Sequence, residues 1–229
     1  PDRHSAMTDQ ATQDAPTDAQ QRPAVAGQVE RSVRQHAGMY RTLMVDPPWL
    51  YTYDTRKTEV PGTGWHGAGE KHYPTMTRDQ LLALRVADLA ADDAVCWLWV
   101  VNPLLAQGME LLAAWGFQYK GLVTWVKTTT THPIRPAIGN GYWLRGATEH
   151  MMLGTRGKPK PLVKNQATWF MAPPGAHSAK PEEAYAIAQR YFDGPRIELF
   201  SRPVSPMFPK REGWDVWGNE VDSDVCIAA

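Results

Sequence analysis

Short apolar stretches alternate with amphipathic stretches along most of this chain. The apolar stretches are rich in β-branched and aromatic residues, which is typical of strands covered on both faces. They lie at residues 40–45, 95–101, 117–127, 148–155, 166–171, 196–200 and 214–217. Three stretches between them, which begin near Thr77, Asn102 and Ser178, have the capping residues and apolar spacing of helices. This alternation predicts an α/β domain with a mainly parallel sheet and helices on both faces.

The two ends of the chain lack this pattern. Residues 1–37 are mostly Gln, Ala, Asp, Thr and Pro, with almost no large apolar side chains. Such a composition buries too little surface to offset the entropy of ordering, so we expect a disordered N-terminal tail there. Its first residues, Pro1 to Ala6, are interpreted as a remnant of an expression tag. The ordered domain is expected over residues 38–221, with a C-terminal tail at 222–229.

Composition excludes several classes of protein. The chain has 24 Lys and Arg against 24 Asp and Glu, so it lacks the overall positive charge of a histone-like protein. Its two cysteines, Cys96 and Cys226, are too few for a disulfide scaffold or a metal-ligand quartet, and they favour a reducing, cytoplasmic location. The longest apolar run, Ala94 to Val101, is too short to span a membrane. The histidines show no metal-binding spacing. We therefore expect a soluble protein without a metal.

The balanced total hides a local surplus of positive charge. Between Lys120 and Lys164 the chain has eight basic residues and a single acid, Glu149. This segment is either a solvated face or a surface that contacts the phosphates of a nucleic acid, since it also contains hydrogen-bond donors. On the second interpretation, the candidate substrate-binding residues of this segment are Lys127, Arg135, Asn140, Arg145 and Asn165.

The tetrapeptide Asp46-Pro47-Pro48-Trp49 directly follows the first predicted strand. Ligands of open α/β sheets bind beyond the carboxyl ends of the strands, so chemistry is expected here. The prolines stiffen the backbone, so that the Asp46 carboxylate and the Pro47 carbonyl can accept the two hydrogens of an exocyclic purine amine. This contact would free the lone pair of the nitrogen for attack, while Trp49 stacks on the ring. The alternative is that Asp46 only caps a turn.

Asp46-Pro47-Pro48-Trp49 resembles the signature of the MT-A70 family of S-adenosylmethionine-dependent adenine-N6 methyltransferases. In this permuted branch the catalytic motif precedes the cofactor-binding segment. Further blocks follow in the family's order between Tyr40 and Val221, and an ordered series of blocks is more specific than one motif. They include Tyr73-Pro74-Thr75-Met76, Trp97-Leu98-Trp99-Val100, Trp125-Val126-Lys127-Thr128, Glu149-His150, Lys180-Pro181, Ile197 to Pro203 and Gly218-Asn219. The resemblance implies a Rossmann-like methyltransferase fold and transfer of the methyl group of S-adenosylmethionine to N6 of adenine.

The resemblance also implies roles for individual residues. The catalytic motif would be Asp46, Pro47, Pro48 and Trp49, and the base pocket would be lined by Trp49, Tyr73 and Trp99. The cofactor would be bound by Asp46, Lys180, Glu198, Leu199, Phe200, Arg202, Asn219 and Glu220, with the Glu198 carboxylate on the ribose hydroxyls. Judged from pattern alone, Trp99 fits the core as well as the pocket, Lys180 fits a solvated cation, and Arg202 fits an ion-pair partner of Glu198.

DNA is the expected substrate, because the chain resembles the minimal single-domain members of prokaryotes and phages and lacks an RNA-binding zinc module. RNA is the alternative within the same class. A noncatalytic partner subunit that only binds nucleic acid is an alternative from another class, and the intact motif at Asp46 argues against it. No membrane partner is expected, and the sequence leaves the oligomeric state open, a homodimer included.

Overall fold

The computed structural model describes residues 36–50, 75–139, 143–175, 179–205, 207–208 and 210–227. Two predicted site residues, Tyr73 and Asn140, lie outside these ranges, as do residues 1–35 of the N-terminal tail predicted over 1–37. The strands are β1 (Tyr40–Val45), β2 (Ala90–Val100), β3 (Gln118–Lys127), β4 (Thr148–Arg156), β5 (Trp169–Ala172), β6 (Arg196–Leu199) and β7 (Asp215–Trp217). The helices are α1 (Arg78–Ala83), α2 (Leu105–Ala114) and α3 (Glu182–Tyr191). Every predicted strand and helix is present, although β2 begins five residues earlier than expected.

The strands form one sheet in the order β5-β3-β4-β2-β1-β6-β7. Four neighbouring pairs are parallel, whereas β4 runs antiparallel to both β2 and β3. The mainly parallel sheet is therefore confirmed, with one reversed strand. Because β4 is reversed, its first residues lie at the edge where the parallel strands end, with Thr148 opposite Val126 and His150 opposite Val100.

Alternate side chains of the central strands pack on opposite faces of this sheet. Leu43 and Val45 of β1 belong to a core cluster that also contains residues of α1 and α2. Met44, together with Trp97 and Trp99 of β2, belongs to a second cluster, which contains the buried residues of α3. The period of two along a strand thus places a helical layer on each face, as the sequence predicts.

Local sequence sets where the helices begin. At the start of α1 the Thr77 side chain accepts a hydrogen bond from the backbone N–H of Gln80, and the Gln80 side chain accepts one from the backbone N–H of Thr77. This reciprocal cap typically contributes about 1 kcal/mol and confirms the predicted helix start. Helix α3 has Pro181 at its N-cap and two glutamates in its first turn, so acids lie at the positive end of its dipole. None of the described helices is long and apolar enough to cross a membrane.

The described residues of the expected C-terminal tail, 222–227, pack against the domain. The backbone N–H of Asp224 donates to the carbonyl of Val216, and the Asp224 carboxylate accepts from the N–H of Val216 at 2.9 Å. The next residue, Val225, is 1% exposed and packs in the first core cluster. Residues 222–227 therefore cover the edge strand β7, because Asp224 pairs with backbone groups that an edge strand leaves unpaired.

Gly218 lies where the loops after β6 and β7 touch. A Cβ at this position would stand 2.4 Å from the carbonyl oxygen of Ser201, a distance that requires the backbone to shift. We expect Gly218→Ala to lower the free energy of unfolding by about 1–3 kcal/mol, the usual cost of overpacking. Chemical denaturation would measure this. The control is Gly121→Ala on β3, where no heavy atom lies within 4 Å of the added Cβ. Equal stability of the two variants would show that the loops adapt without cost.

Candidate active site

Asp46 and the two prolines form a turn at the carboxyl end of β1. The N–H of Trp49 donates to the carbonyl of Pro47 at 2.8 Å, and the N–H of Met76 donates to the carbonyl of Pro48 at 2.9 Å. The turn is therefore fixed by its own backbone and by the segment before α1. The Pro47 carbonyl, expected to point at a ligand, already accepts one hydrogen bond, and its second lone pair leaves it capable of accepting another.

The Trp49 indole is fixed across the end of β2. Its Nε1 donates to the backbone carbonyl of Trp99 at 3.1 Å, and the ring packs against the first core cluster while remaining partly exposed. An indole held at its polar end presents a rigid flat surface at little entropic cost. Trp49 therefore forms a preorganised wall beside Asp46.

Four charged side chains of alternating sign form a row of ion pairs beside this turn. The Lys180 ammonium lies 2.6 Å from Asp46 Oδ2 and 3.6 Å from Glu149 Oε2, and Lys127 Nζ lies 2.5 Å from Glu149 Oε1. The Lys180 side chain is only 7% exposed. Two cations and two carboxylates neutralise one another, which reduces the cost of burying them. Each lysine also lies over an indole ring, Lys180 over Trp99 and Lys127 over Trp125.

Within this row of ion pairs, Glu149 is the residue that the sequence analysis did not predict as a site residue. It reaches the site because β4 is reversed, so that its second residue lies at the carboxyl edge of the sheet. Burial raises the pKa of Glu149, but the two lysines outweigh this effect and hold the pKa below its usual range. A signal was available, because Glu149 is the single acid in the basic segment and a lone acid among cations is a candidate for pairing.

Asp46 and Lys180 separate two adjoining cavities at this edge. The larger one, of about 640 Å³, lies at the ends of β1 and β6 and beside the start of α3. It is lined by Asp46, Ala179, Lys180, Glu182, Tyr185, Glu198, Phe200, Arg202, Pro203, Val204, Ser205, Arg211 and Glu220. The smaller one, of about 90 Å³, is lined by Asp46, Pro47, Pro48, Trp49, Trp99, Val100, Val101, Glu149, Lys180 and Arg202. Asp46, Lys180 and Arg202 line both cavities.

Glu198 is the buried carboxylate of the larger cavity. The Tyr185 hydroxyl donates to it at 2.5 Å, and the Arg211 guanidinium lies 3.6 Å above the Tyr185 ring while pairing with Glu182. Burial raises the pKa of Glu198, and the Tyr185 hydrogen bond and the Arg211 charge oppose that rise. Tyr185 and Arg211 were not predicted as site residues, since nothing local distinguishes a helical tyrosine or a loop arginine from surface residues.

The residue after β6 has a strained backbone. Phe200 has a φ of 60°, in the left-handed region that residues other than Gly, Asn and Asp seldom adopt. This turn takes the chain away from the sheet, and the Phe200 ring packs edge-on against Trp217 while lining the larger cavity. Backbone strain of this kind typically costs about 1–3 kcal/mol and is concentrated at functional sites.

Comparison with known sequences places this geometry in a family. The sequence model of MT-A70 matches residues 40–220, which is most of the chain and includes every strand and helix of the fold. The chain belongs to the MT-A70 family. The mixed sheet with helices on both faces agrees with the methyltransferase fold that the resemblance implied.

The MT-A70 relatives differ greatly in length. The chain is 32% identical over 189 residues to an N(6)-adenosine-methyltransferase MT-A70-like protein of Drosophila melanogaster, and 31% identical over 189 residues to the human N(6)-adenosine-methyltransferase catalytic subunit METTL3. These matches cover 81% of this chain but only 27% and 29% of those proteins. The type II methyltransferase M.MunI of Mycoplasma sp is 28% identical, with 80% of this chain and 78% of that protein covered.

The structure brings six of the eight predicted cofactor residues to the larger cavity. They are Asp46, Lys180, Glu198, Phe200, Arg202 and Glu220. The side chain of Leu199 lies instead in the first core cluster, although its carbonyl accepts from the N–H of Asp46 at 3.4 Å. Asn219 is exposed and does not line this cavity. Arg202 pairs with Glu220 at 3.3 Å, whereas the alternative from pattern alone was a pairing with Glu198.

The predicted substrate residues separate into two groups. Trp49 and Trp99 line the smaller cavity, and Trp99 is at the same time a core residue that is 1% exposed. Its contact with a base stays a prediction. Lys127 is paired with Glu149, and Arg135 and Arg145 lie exposed in the connection between β3 and β4 at the site edge.

Asn165 precedes β5 and therefore lies toward the opposite edge of the sheet, away from Asp46. The basic residues that follow β4, from Lys158 to Lys164, lie at that far edge as well, because β4 is reversed. The basic segment is thus not one continuous face. Among the described residues there is no group of His, Cys, Asp and Glu that could hold a metal ion.

Proposed function

We propose that this protein transfers the methyl group of S-adenosylmethionine to N6 of adenine in DNA. The observation that carries this proposal is the position of Asp46, whose carboxylate borders both the larger and the smaller cavity. Methyl transfer between two bound molecules requires such a junction, because the acceptor nitrogen must approach the methyl carbon directly. The larger cavity has the usual volume of a small-molecule site, and the smaller one has an aromatic wall.

The side chains of the larger cavity fit a nucleoside that carries an amino acid. The Glu198 carboxylate can accept hydrogen bonds from ribose hydroxyls, and Phe200 offers an apolar surface beside it. Lys180 and Arg202 provide positive charge where a carboxylate would have to be neutralised. When bound, the cofactor supplies an activated methyl group on a sulfonium, which needs no further leaving-group assistance from the protein.

Asp46 would orient and polarise the acceptor amine. Lys180 contacts Oδ2, so we assign Oδ1 of Asp46 and the carbonyl of Pro47 as the two acceptors for the amine hydrogens. These contacts point the nitrogen lone pair toward the methyl group, and Trp49 holds the plane of the base. As the nitrogen becomes positively charged, the Asp46 carboxylate stabilises that charge until a proton leaves.

The match to the type II methyltransferase M.MunI supports DNA as the substrate. It covers 78% of that protein, whereas the matches to the N(6)-adenosine-methyltransferases cover less than a third of those proteins. The matched segment of this chain therefore corresponds to most of a type II methyltransferase. RNA is the second candidate, because the N(6)-adenosine-methyltransferases match at slightly higher identity.

The proposal is tested by incubating the protein with S-adenosylmethionine carrying a labelled methyl group and with DNA or RNA of random sequence. Digestion to nucleosides then shows which base carries the label. We expect N6-methyladenine from DNA and little from RNA. Label in RNA alone would reverse the substrate assignment. Cofactor binding by calorimetry without transfer to either nucleic acid would favour the noncatalytic subunit.

Tyr185→Phe tests the role of Glu198 in holding the cofactor. The variant loses the hydroxyl that bonds the carboxylate at 2.5 Å, so the pKa of Glu198 should rise further. We expect the affinity for S-adenosylhomocysteine, measured by calorimetry, to fall by about 5- to 10-fold, since one hydrogen bond contributes about 1 kcal/mol. The loss should be larger at pH 6 than at pH 8, because a carboxyl group with a raised pKa is protonated to a greater extent at the lower pH.

The matched control for this variant is Tyr119→Phe, which alters an exposed tyrosine of β3 away from the cavity. It should bind like the parent protein. Thermal unfolding of both variants separates a local effect on Glu198 from a general loss of structure. Affinity in Tyr185→Phe that equals the parent at both pH values would remove Glu198 from the cofactor site.

A further inference from the structure

The connection between β3 and β4 exposes four large apolar side chains within its described residues, 128–139 and 143–147. Ile134, Ile138, Trp143 and Leu144 are 83%, 62%, 89% and 87% exposed. Single exposed apolar residues are normal, but several close together mark a surface that binds something. This connection leaves β3 directly after Lys127, so it lies at the same sheet edge as Asp46 and Glu149.

Backbone hydrogen bonds hold these side chains on a defined support. The N–H of Gly139 donates to the carbonyl of Gly146 at 2.7 Å, and the N–H of Ala137 donates to the carbonyl of Lys127 at 2.8 Å. Arg145 Nε donates to the carbonyl of Gly139 at 3.0 Å. Two limbs of the connection therefore run side by side, which places Ile138 near the segment that carries Trp143 and Leu144.

The charge of this connection points to an anionic partner. Residues 128–147 contain Arg135, Arg145 and His132 but no Asp or Glu. A two-fold dimer through this surface would bring two copies of this positively charged connection together, and neither copy has a carboxylate in it to offset that charge. A nucleic-acid strand matches both the apolar side chains and the positive charge of this connection. Its bases stack on apolar and aromatic side chains, and its phosphates pair with arginine.

We propose that the β3–β4 loop surface, formed by Ile134, Arg135, Ile138, Trp143, Leu144 and Arg145, stacks on the nucleobases that flank the target adenine. This inference rests on the proposed function. Trp143 and Leu144 fill the gap that opens in the stack when the adenine turns out toward Asp46, and the two arginines hold the adjoining phosphates. Extruding a base from a duplex costs free energy, and inserted side chains offset part of that cost.

The test compares Trp143→Ala with Trp169→Ala, which removes an exposed tryptophan of β5 outside the surface. The probes are adenine-containing DNA of random sequence, as fluorescent duplex and as single strand, with binding followed by anisotropy. For Trp143→Ala we expect the dissociation constant to rise about 10-fold or more for the duplex and less for the single strand. Binding of S-adenosylhomocysteine and thermal stability should match the parent. Trp169→Ala should bind both probes normally.

Three results would overturn the inference. Trp143→Ala could bind both probes like the parent protein, it could lose duplex and single strand equally with lowered thermal stability, or it could change the molar mass in light scattering while binding DNA normally. The last result would identify the surface as a contact between protein chains. The proposed function is tested separately on the parent protein. It fails if that protein binds DNA but transfers no label to adenine.

Discussion

Asp46→Ala should reduce methyl transfer to adenine by at least about 10²- to 10³-fold, the usual cost of removing one preorganised electrostatic contact to a transition state. The variant loses the carboxylate that borders both cavities and that faces Lys180 at 2.6 Å. Binding of S-adenosylhomocysteine should be weakened at most, because Glu198, Phe200 and Arg202 remain. Transfer is measured with the labelled cofactor, and binding by calorimetry.

Two further variants make this result specific to the carboxylate at that position. Asp46→Asn keeps the shape of the side chain but removes its charge, so it should retain cofactor binding and still lose most of the transfer rate. Asp79→Ala removes an exposed carboxylate in the first turn of α1 and should leave transfer unchanged. Full activity in either Asp46 variant would refute the assignment of Asp46 to the reacting amine.

Lys180→Met should have the second largest effect, on stability as well as on activity. The variant leaves Asp46 and Glu149 without the buried ammonium that lies between them. Loss of one partner of a buried pair typically costs about 3–5 kcal/mol, and because Asp46 is 32% exposed we expect about 2–3 kcal/mol. Methyl transfer should fall as well, since Lys180 fixes the carboxylate of Asp46. Thermal unfolding and the labelled transfer assay measure the two effects.

The stability loss in Lys180→Met should depend on pH in a defined direction. In the parent protein the pKa of Glu149 is held below its usual range, so its contribution is present above the unfolded pKa and is lost as the pH falls through the folded pKa. Without Lys180, burial acts with less opposition and the pKa of Glu149 rises. The difference from the parent should therefore be largest near pH 7 and shrink below about pH 5, where the Glu149 carboxylate of the variant becomes protonated.

Lys160→Met is the matched control, because Lys160 is an exposed lysine after β4 at the far edge of the sheet. Its stability should follow the parent protein at every pH. A deficit in Lys180→Met that stays constant from about pH 7 down to about pH 4 would mean that the variant fails through packing alone, without a contribution from the Glu149 carboxylate.

The sequence by itself determined the strands and helices and located the motif at the end of the first strand. Strands and helices were predicted correctly because alternation, β-branched runs and caps such as Thr77 act over a few residues. The motif at Asp46 could be located for the same reason, since a strand that ends on an acid and two prolines is a local feature. The likeness to MT-A70 sequences then predicted six of the thirteen residues that line the larger cavity.

Only the tertiary structure decided which distant residues share the site. Glu149 reaches Lys180 because β4 runs against its neighbours, and the same reversal carries the basic residues after β4 to the far edge. Arg211 lies over the ring of Tyr185, whose hydroxyl donates to Glu198, and no local pattern encodes this arrangement. The direction of a strand is set when both faces of the sheet are packed against helices. The same packing sets the contacts between residues that are far apart in sequence. The local pattern specifies each element, and packing the elements together brings Asp46, Lys180, Glu149 and Glu198 to one edge of the sheet.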